Sequence, residues 1–219
     1  MKTLLSLLLY LLLALNLHAQ DQPSTEFQQI AEEIMRRKAE DQNIMMAHQP
    51  GEAEEVRDSL YREKDRILSD NCKRIQALVA DYGYLGYDKL GRQASDDFWL
   101  IVQHCDEHPE FQRKILKMMK PEVEKGNASG QKYAYLTDRV RVNAGEPQLY
   151  GTQVITKEDM WIVPKPLLDS ASVDIRRKEV GLEPLKDYLN MAMKFHYQMN
   201  QEHYEKAGMD GPRQYSIKK

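Results

Sequence analysis

Cysteine is scarce: Cys72 and Cys105 are the only two in the 219 residues. Two thiols without matched metal-ligand spacing argue against a structural zinc cluster and leave room for one disulfide. Excess charge is scarce too. Lys and Arg number 31 against 34 Asp and Glu, a formal net charge of −3, which argues against nucleic acid as the main partner. Beyond the first twenty residues no apolar run approaches the roughly 20 residues that a membrane-spanning helix needs. There is no internal repeat. There is also no Gly-x-Ser-x-Gly elbow to carry a serine nucleophile.

What is present begins with "MKTLLSLLLYLLLALNLHAQ". Lys2 supplies a positive start, Leu4 to Leu15 an almost unbroken apolar run, and Ala19 a small residue for cleavage. This pattern predicts a signal peptide over residues 1–19 and a periplasmic or secreted mature chain with no stable membrane span. An uncleaved anchor is the rival reading. No cysteine follows the run, so no lipid-modified N-terminal cysteine is available. Removing residues 1–19 takes Lys2 away and brings the net charge to −4. In an oxidising compartment Cys72 and Cys105 can pair if their Cα atoms come within roughly 4.4–6.8 Å.

The remaining chain reads as helices. Ser24 or Thr25 caps a first helix with Phe27, Ile30, Ile34 and Met35 at helical spacing, and "HQPGE" at 48–52 breaks it. A second runs from about Glu54 to Tyr82, with Val56, Leu60, Ile67, Ile75, Leu78 and Val79 as its apolar stripe. A glycine- and tyrosine-rich loop covers 81–93, and Ser95 is placed to cap a third helix. Pro109 suits the first position of a fourth, and a fifth starts near Ser129. "QLYGTQV" and "MWIVPKPL" then predict two short strands around a turn at "ITKEDM". A short helix stops at Gly181, and Pro184 opens a last one reaching about Lys206. The expectation is a mainly α fold with a small antiparallel β hairpin (α+β), with six to seven helices. A single domain would span 24–206, its hairpin near 147–166, and 207–219 would form a flexible tail.

Several polar groups are candidates for chemistry. In "WLIVQHCD" (99–106), Gln103 and His104 interrupt an apolar helix. An imidazole titrates near neutrality and can act as general acid or base, with Asp106 or Asp138 to orient it. The same stretch spells His-x-x-Glu-His across His104–His108, a zinc-protease pattern. Pro109 directly after His108 disfavours the helical conformation that the second ligand needs, so no metal is expected here. His196, Met199 and His203 share one helical face, which could bind copper but is also ordinary amphipathic spacing. Arg139 suits a carboxylate or phosphate. Gln148, Tyr150, Thr152 and Gln153 offer orienting amides and hydroxyls. These polar groups either line a pocket or staple the hairpin to the helices.

"WLIVQHCDEHPEFQRKILKMM", "YAYLTDRVRVNAGEPQLYGTQV" and "VDIRRKEVGLEPLKDYL" together resemble an uncharacterised bacterial family, domain of unknown function 6624. The likeness covers roughly residues 28–190. It rests on Gln103-His104-x-Asp106, Leu136-Thr137-Asp138-Arg139, Gln148-x-Tyr150-Gly151-Thr152-Gln153 and Val173-Asp174-x-Arg176-Arg177 before Gly181-Leu182. Asp41-Gln42 matches an Asp-Gln near the family's start. The loop "YGYLGYDKLG" departs from the Gly-Trp-Pro-like start expected there. The resemblance implies no activity, but it implies that these distant polar positions belong together.

Two functional classes follow. One is an acid–base, hydrolase-like enzyme on a small or envelope-derived substrate. His104, Asp106 and Asp138 would be catalytic, and Gln103, Arg139, Gln148, Tyr150, Thr152, Gln153 and Arg176 would bind substrate, with Arg177 a further anion-binding candidate. No cofactor is called for. The other is a non-catalytic ligand-binding or structural module, whose sign would be a polar set buried and paired within itself.

Overall fold

A computed structural model describes residues 24–47, 51 and 53–217; the expected leader at 1–19 lies outside them. Backbone contacts divide the chain into two compact units, 1–104 and 105–219. Among the described residues there are eight helices and one two-stranded antiparallel sheet. The architecture is therefore mainly α with a small hairpin. No helix among these residues is long and apolar enough to cross a membrane.

The first unit holds α1 (Thr25–Met46), α2 (Glu54–Tyr82) and α3 (Tyr87–Gln103). Ser24 caps α1, its hydroxyl accepting from the amide of Phe27 at 3.4 Å. Ile30, Ile34 and Asp41 are the buried positions of α1. They lie four and then seven residues apart, so they share one face. Met35 is exposed, and an aspartate instead continues the buried stripe. Burial on α2 is confined to its C-terminal half, at Asn71, Cys72, Ile75, Leu78 and Val79. Val56 is exposed and Leu60 only half-buried. The loop predicted over 81–93 is mostly helical: α3 begins at Tyr87, with a break at Gly91 (φ 71°, ψ 169°). Ser95 is accordingly buried inside α3 rather than capping it.

The second unit begins with α4 (Pro109–Glu124), where proline takes the first turn and His108 the cap position. His108 therefore stands outside α3, which ends at Gln103. Ser129 caps α5 (Gly130–Asn143) by accepting from the Lys132 amide at 3.3 Å. α4 and α5 pack together, and Ile115 and Met119 of α4 and Ala134 and Leu136 of α5 are buried. A β-carbon at Gly130 would sit 2.9 Å from the Val180 carbonyl oxygen, so only glycine lets these two backbones approach so closely.

The hairpin is shorter than the sequence predicts, and Ile155 and Thr156, expected in the turn, belong to its first strand. β1 (Val154–Thr156) pairs with β2 (Ile162–Pro164) in the register Val154↔Pro164, Ile155↔Val163, Thr156↔Ile162. Gln148 makes only an isolated parallel bridge to Leu167. Residues 149–153 form no strand, because the amides of Leu149, Tyr150 and Thr152 go to the Asp138 side chain and that of Gln153 to the Gln148 side chain. α6 (Val173–Glu179), α7 (Leu185–Met199) and α8 (Gln201–Lys206) complete the chain. Ile162, Leu189 and Met193 form a small core between hairpin and α7, with Trp161, Tyr188 and Tyr215 packed against it. Tyr215 exchanges hydrogen bonds with the Asn190 side chain and donates its hydroxyl to the Ile162 carbonyl. The segment predicted to fray thus pins the hairpin. Both cysteines are disulfide-bonded.

Candidate functional site

In the first unit, the buried stripe of α1 brings Asp41 to the C-terminal end of α3. The Asp41 side chain is fully buried, and His104 keeps about an eighth of its side-chain surface. His104 Nδ1 lies 2.8 Å and 2.9 Å from the two Asp41 oxygens. Gln42 Nε2 adds a donor to Oδ1 at 3.1 Å. A carboxylate can only accept, so Nδ1 carries the proton in the neutral imidazole and the lone pair falls on Nε2. Among the described residues, no hydrogen bond to Nε2 is found. A carboxylate fixing the tautomer while the opposite nitrogen stays open is the arrangement a general base needs.

Two more polar links tie α1 down around this pair. Lys38 Nζ lies 3.9 Å from Asp97 Oδ1, and Gln93 Nε2 donates to both Asp97 oxygens at 3.2 Å. On the α2 side, Glu33 accepts from Arg74 at 2.8 and 2.9 Å and from Arg37 at 2.8 Å. These guanidiniums, Arg74 foremost, hold the Glu33 carboxyl down at about 2 against the desolvation that opposes them. Arg37 also reaches the Asn71 side chain at 3.1 Å. The links set the rotation of α1 and hence where Asp41 points. Gln103 is half-buried at the last residue of α3.

In the second unit the polar string is spent on the backbone. Asp138, fully buried, accepts from the amides of Leu149, Tyr150 and Thr152 and from the Thr152 hydroxyl, at 2.8–3.2 Å. Gln148, also fully buried, donates to the carbonyls of Gln153 and Lys165 and accepts from the Gln153 amide. Arg176 Nε donates to the Leu149 carbonyl at 2.8 Å and its other nitrogens to Asp169. Arg177 Nη1 donates to the Tyr150 carbonyl and its Nε to that of Glu183, both at 2.6 Å. Tyr188 donates to the Thr152 carbonyl at 2.9 Å. Gly151 sits at φ 74°, with Leu185 Cδ1 only 2.8 Å from where a β-carbon would be. The 148–153 segment is a clamped bend rather than a strand.

What the clamp leaves over is Tyr150. Its main chain is held on both sides, its side chain is half-buried, and burial pushes the phenol up from its ordinary range. The Gln153 amide reaches the Thr152 hydroxyl at 3.3 Å. Elsewhere in this unit, Asp106 receives Arg139 through two contacts at 2.9 and 2.5 Å, Asn143 at 3.0 Å and Gln112 at 3.3 Å. Arg139 and Asn143 are one turn apart on α5, so a single carboxylate meets both. An anion approaching Arg139 would compete with Asp106.

The structure thus gathers Asp138, Gln148, Tyr150, Thr152, Gln153, Arg176 and Arg177 into one network, and Asp106 with Arg139 into another. His104 has Asp41 as its carboxylate, a residue that the catalytic set read from sequence omits. Two signals were available: the Asp41-Gln42 motif, which the family resemblance grouped with Gln103-His104-x-Asp106, and an acid falling in the Ile30–Ile34 stripe. Among the described residues no group of three or more His, Cys, Asp or Glu side chains is placed to hold a metal ion.

The chain belongs to a family of unknown function, DUF6624, whose family model matches residues 28–199. No curated protein and no solved structure matches it.

Proposed function

We propose that this protein is an exported acid–base enzyme acting on a small or envelope-derived substrate, with His104 as the proton carrier and Asp41 as its positioning residue. The observation that carries this reading is the buried Asp41 carboxylate on His104 Nδ1, with no hydrogen bond to Nε2 among the described residues. The apolar leader pattern at residues 1–19 and the oxidised state of both cysteines support export. Asp138, Gln148 and Thr152 serve the fold in this reading, because their polar atoms already hold the 148–153 backbone. Tyr150, with its phenol kept protonated, is the better donor toward a substrate oxygen in its own unit.

A second reading, a non-catalytic ligand-binding or structural module, is favoured by the extent of that internal network. The two are separated by assaying wild type, His104→Gln and Asp41→Asn on chromogenic esters, amides and phosphoesters. The enzyme reading expects turnover by wild type and a loss of about 10²–10⁴-fold in His104→Gln. Asp41→Asn should shift the pH profile of kcat more than KM. Turnover that survives His104→Gln sinks the assignment. No turnover on any substrate, with a melting temperature lowered by both variants, favours the structural module.

A further inference from the structure

The pairing of α1 with α2 changes character along its length. Glu33 meets Arg74 and Arg37 meets Asn71, so the two helices run antiparallel. Continued in the same register, Ile44 and Met45 of α1 come opposite Leu60, Tyr61 and Lys64 of α2. At this end the helices do not close on each other: a groove of about 220 Å³ opens, lined by Ile44, Met45, Arg57, Leu60, Tyr61 and Lys64. The four α2 residues are spaced i, i+3, i+4, i+7, one helical face. Apolar Leu60 and Tyr61 lie in its middle and a cation stands at each end, about 10 Å apart along the axis. Lys64 Nζ lies 4.9 Å from the Tyr61 ring centroid, over the same floor. Among the described residues, no acid lines the groove. Around it the apolar surface continues, with Met45 and Tyr61 each 47% exposed, Val56 49% and Met46 66%.

An apolar floor between two cations selects a ligand with an alkyl body and an anionic head. Its volume, at roughly 30 Å³ for each water-sized group, accommodates about seven carbon-sized groups. That is too little for a folded partner. We propose that this groove binds a medium-chain fatty-acid carboxylate, the chain lying on Ile44, Met45, Leu60 and Tyr61 and the carboxylate meeting Lys64 or Arg57. The site is independent of the His104 imidazole.

The test is titration of the full-length protein, its methionine methyls 13C-labelled, with octanoate, and separately with octan-1-ol. Expected is a saturable shift of the Met45 methyl by octanoate, with octan-1-ol binding at least about tenfold more weakly. The double variant Arg57→Glu/Lys64→Glu should weaken octanoate by at least about tenfold while its circular dichroism stays that of wild type. Equal binding of the alcohol overturns the proposal, as does unchanged affinity in the folded double variant. So does the absence of a saturable Met45 shift up to about 10 mM octanoate, a concentration at which even a millimolar site would fill. If the double variant does not fold, the comparison of octanoate with octan-1-ol on wild type decides alone.

Discussion

A single carboxylate does different work in each unit, and the difference lies in what it accepts from. Asp41 accepts from an imidazole and from Gln42; Asp138 accepts from three backbone amides and a hydroxyl. Asp41→Asn should therefore act on His104 more than on the fold. Long-range 15N–1H NMR of the wild type is expected to show the Nδ1–H tautomer of His104, and the variant a mixture with Nε2–H. A wild-type Nε2–H tautomer would contradict the geometry. Asp138→Asn should act on the fold. An amide keeps one acceptor oxygen and turns an NH₂ group toward N–H donors, leaving buried groups unpaired. The expected loss is about 3–5 kcal/mol, read from urea unfolding. A loss below about 1 kcal/mol would mean that the clamp is not what holds residues 148–153.

Between elements, close approach and charge do the positioning. Gly130→Ala places a methyl 2.9 Å from the Val180 carbonyl oxygen, and backbone cannot yield as a flexible side chain can. The variant should lose about 1–3 kcal/mol in the same unfolding assay, although alanine is the better helix former. An unchanged or raised stability would show that α5 can slide away from Val180. The α1–α2 link has a pH signature. Glu33 is held at about 2 against an ordinary 4.5, so the folded state favours its ionised form. Its contribution is fully present above about pH 4.5 and is lost as pH falls toward about 2. Because its side chain is 19% exposed, the contribution is about 2 kcal/mol after allowing for solvent. Glu33→Gln should flatten the wild-type stability profile across that window, and a profile of unchanged shape would remove the pair from the ledger.

At the scale of the molecule, the chain is a family member with two compact units and both thiols oxidised. Thiol titration of the unreduced, denatured protein should find no free cysteine. Reduction should lower stability by about 2–4 kcal/mol, through the freedom that the unfolded chain regains. Two reactive thiols before reduction would contradict this.

The hydrophobic period, the caps at Ser24 and Ser129 and the N1 proline at Pro109 are local signals, and local signals sufficed for the helical class and most boundaries. They also placed the hairpin, since β-branched residues and turn residues act within a few positions of each other. They could not make the bend at 148–153, because the group that denies it strand pairing, Asp138, lies on a helix 11 to 14 residues earlier. Nor could they give His104 its partner. Asp41 is 63 residues away, and only the packing of α1 on α3 turns an acid at a buried helical position into the carboxylate on an imidazole. Periodicity within one element carries the pattern of burial; which polar groups meet depends on how the elements pack, and that was decided by the tertiary structure.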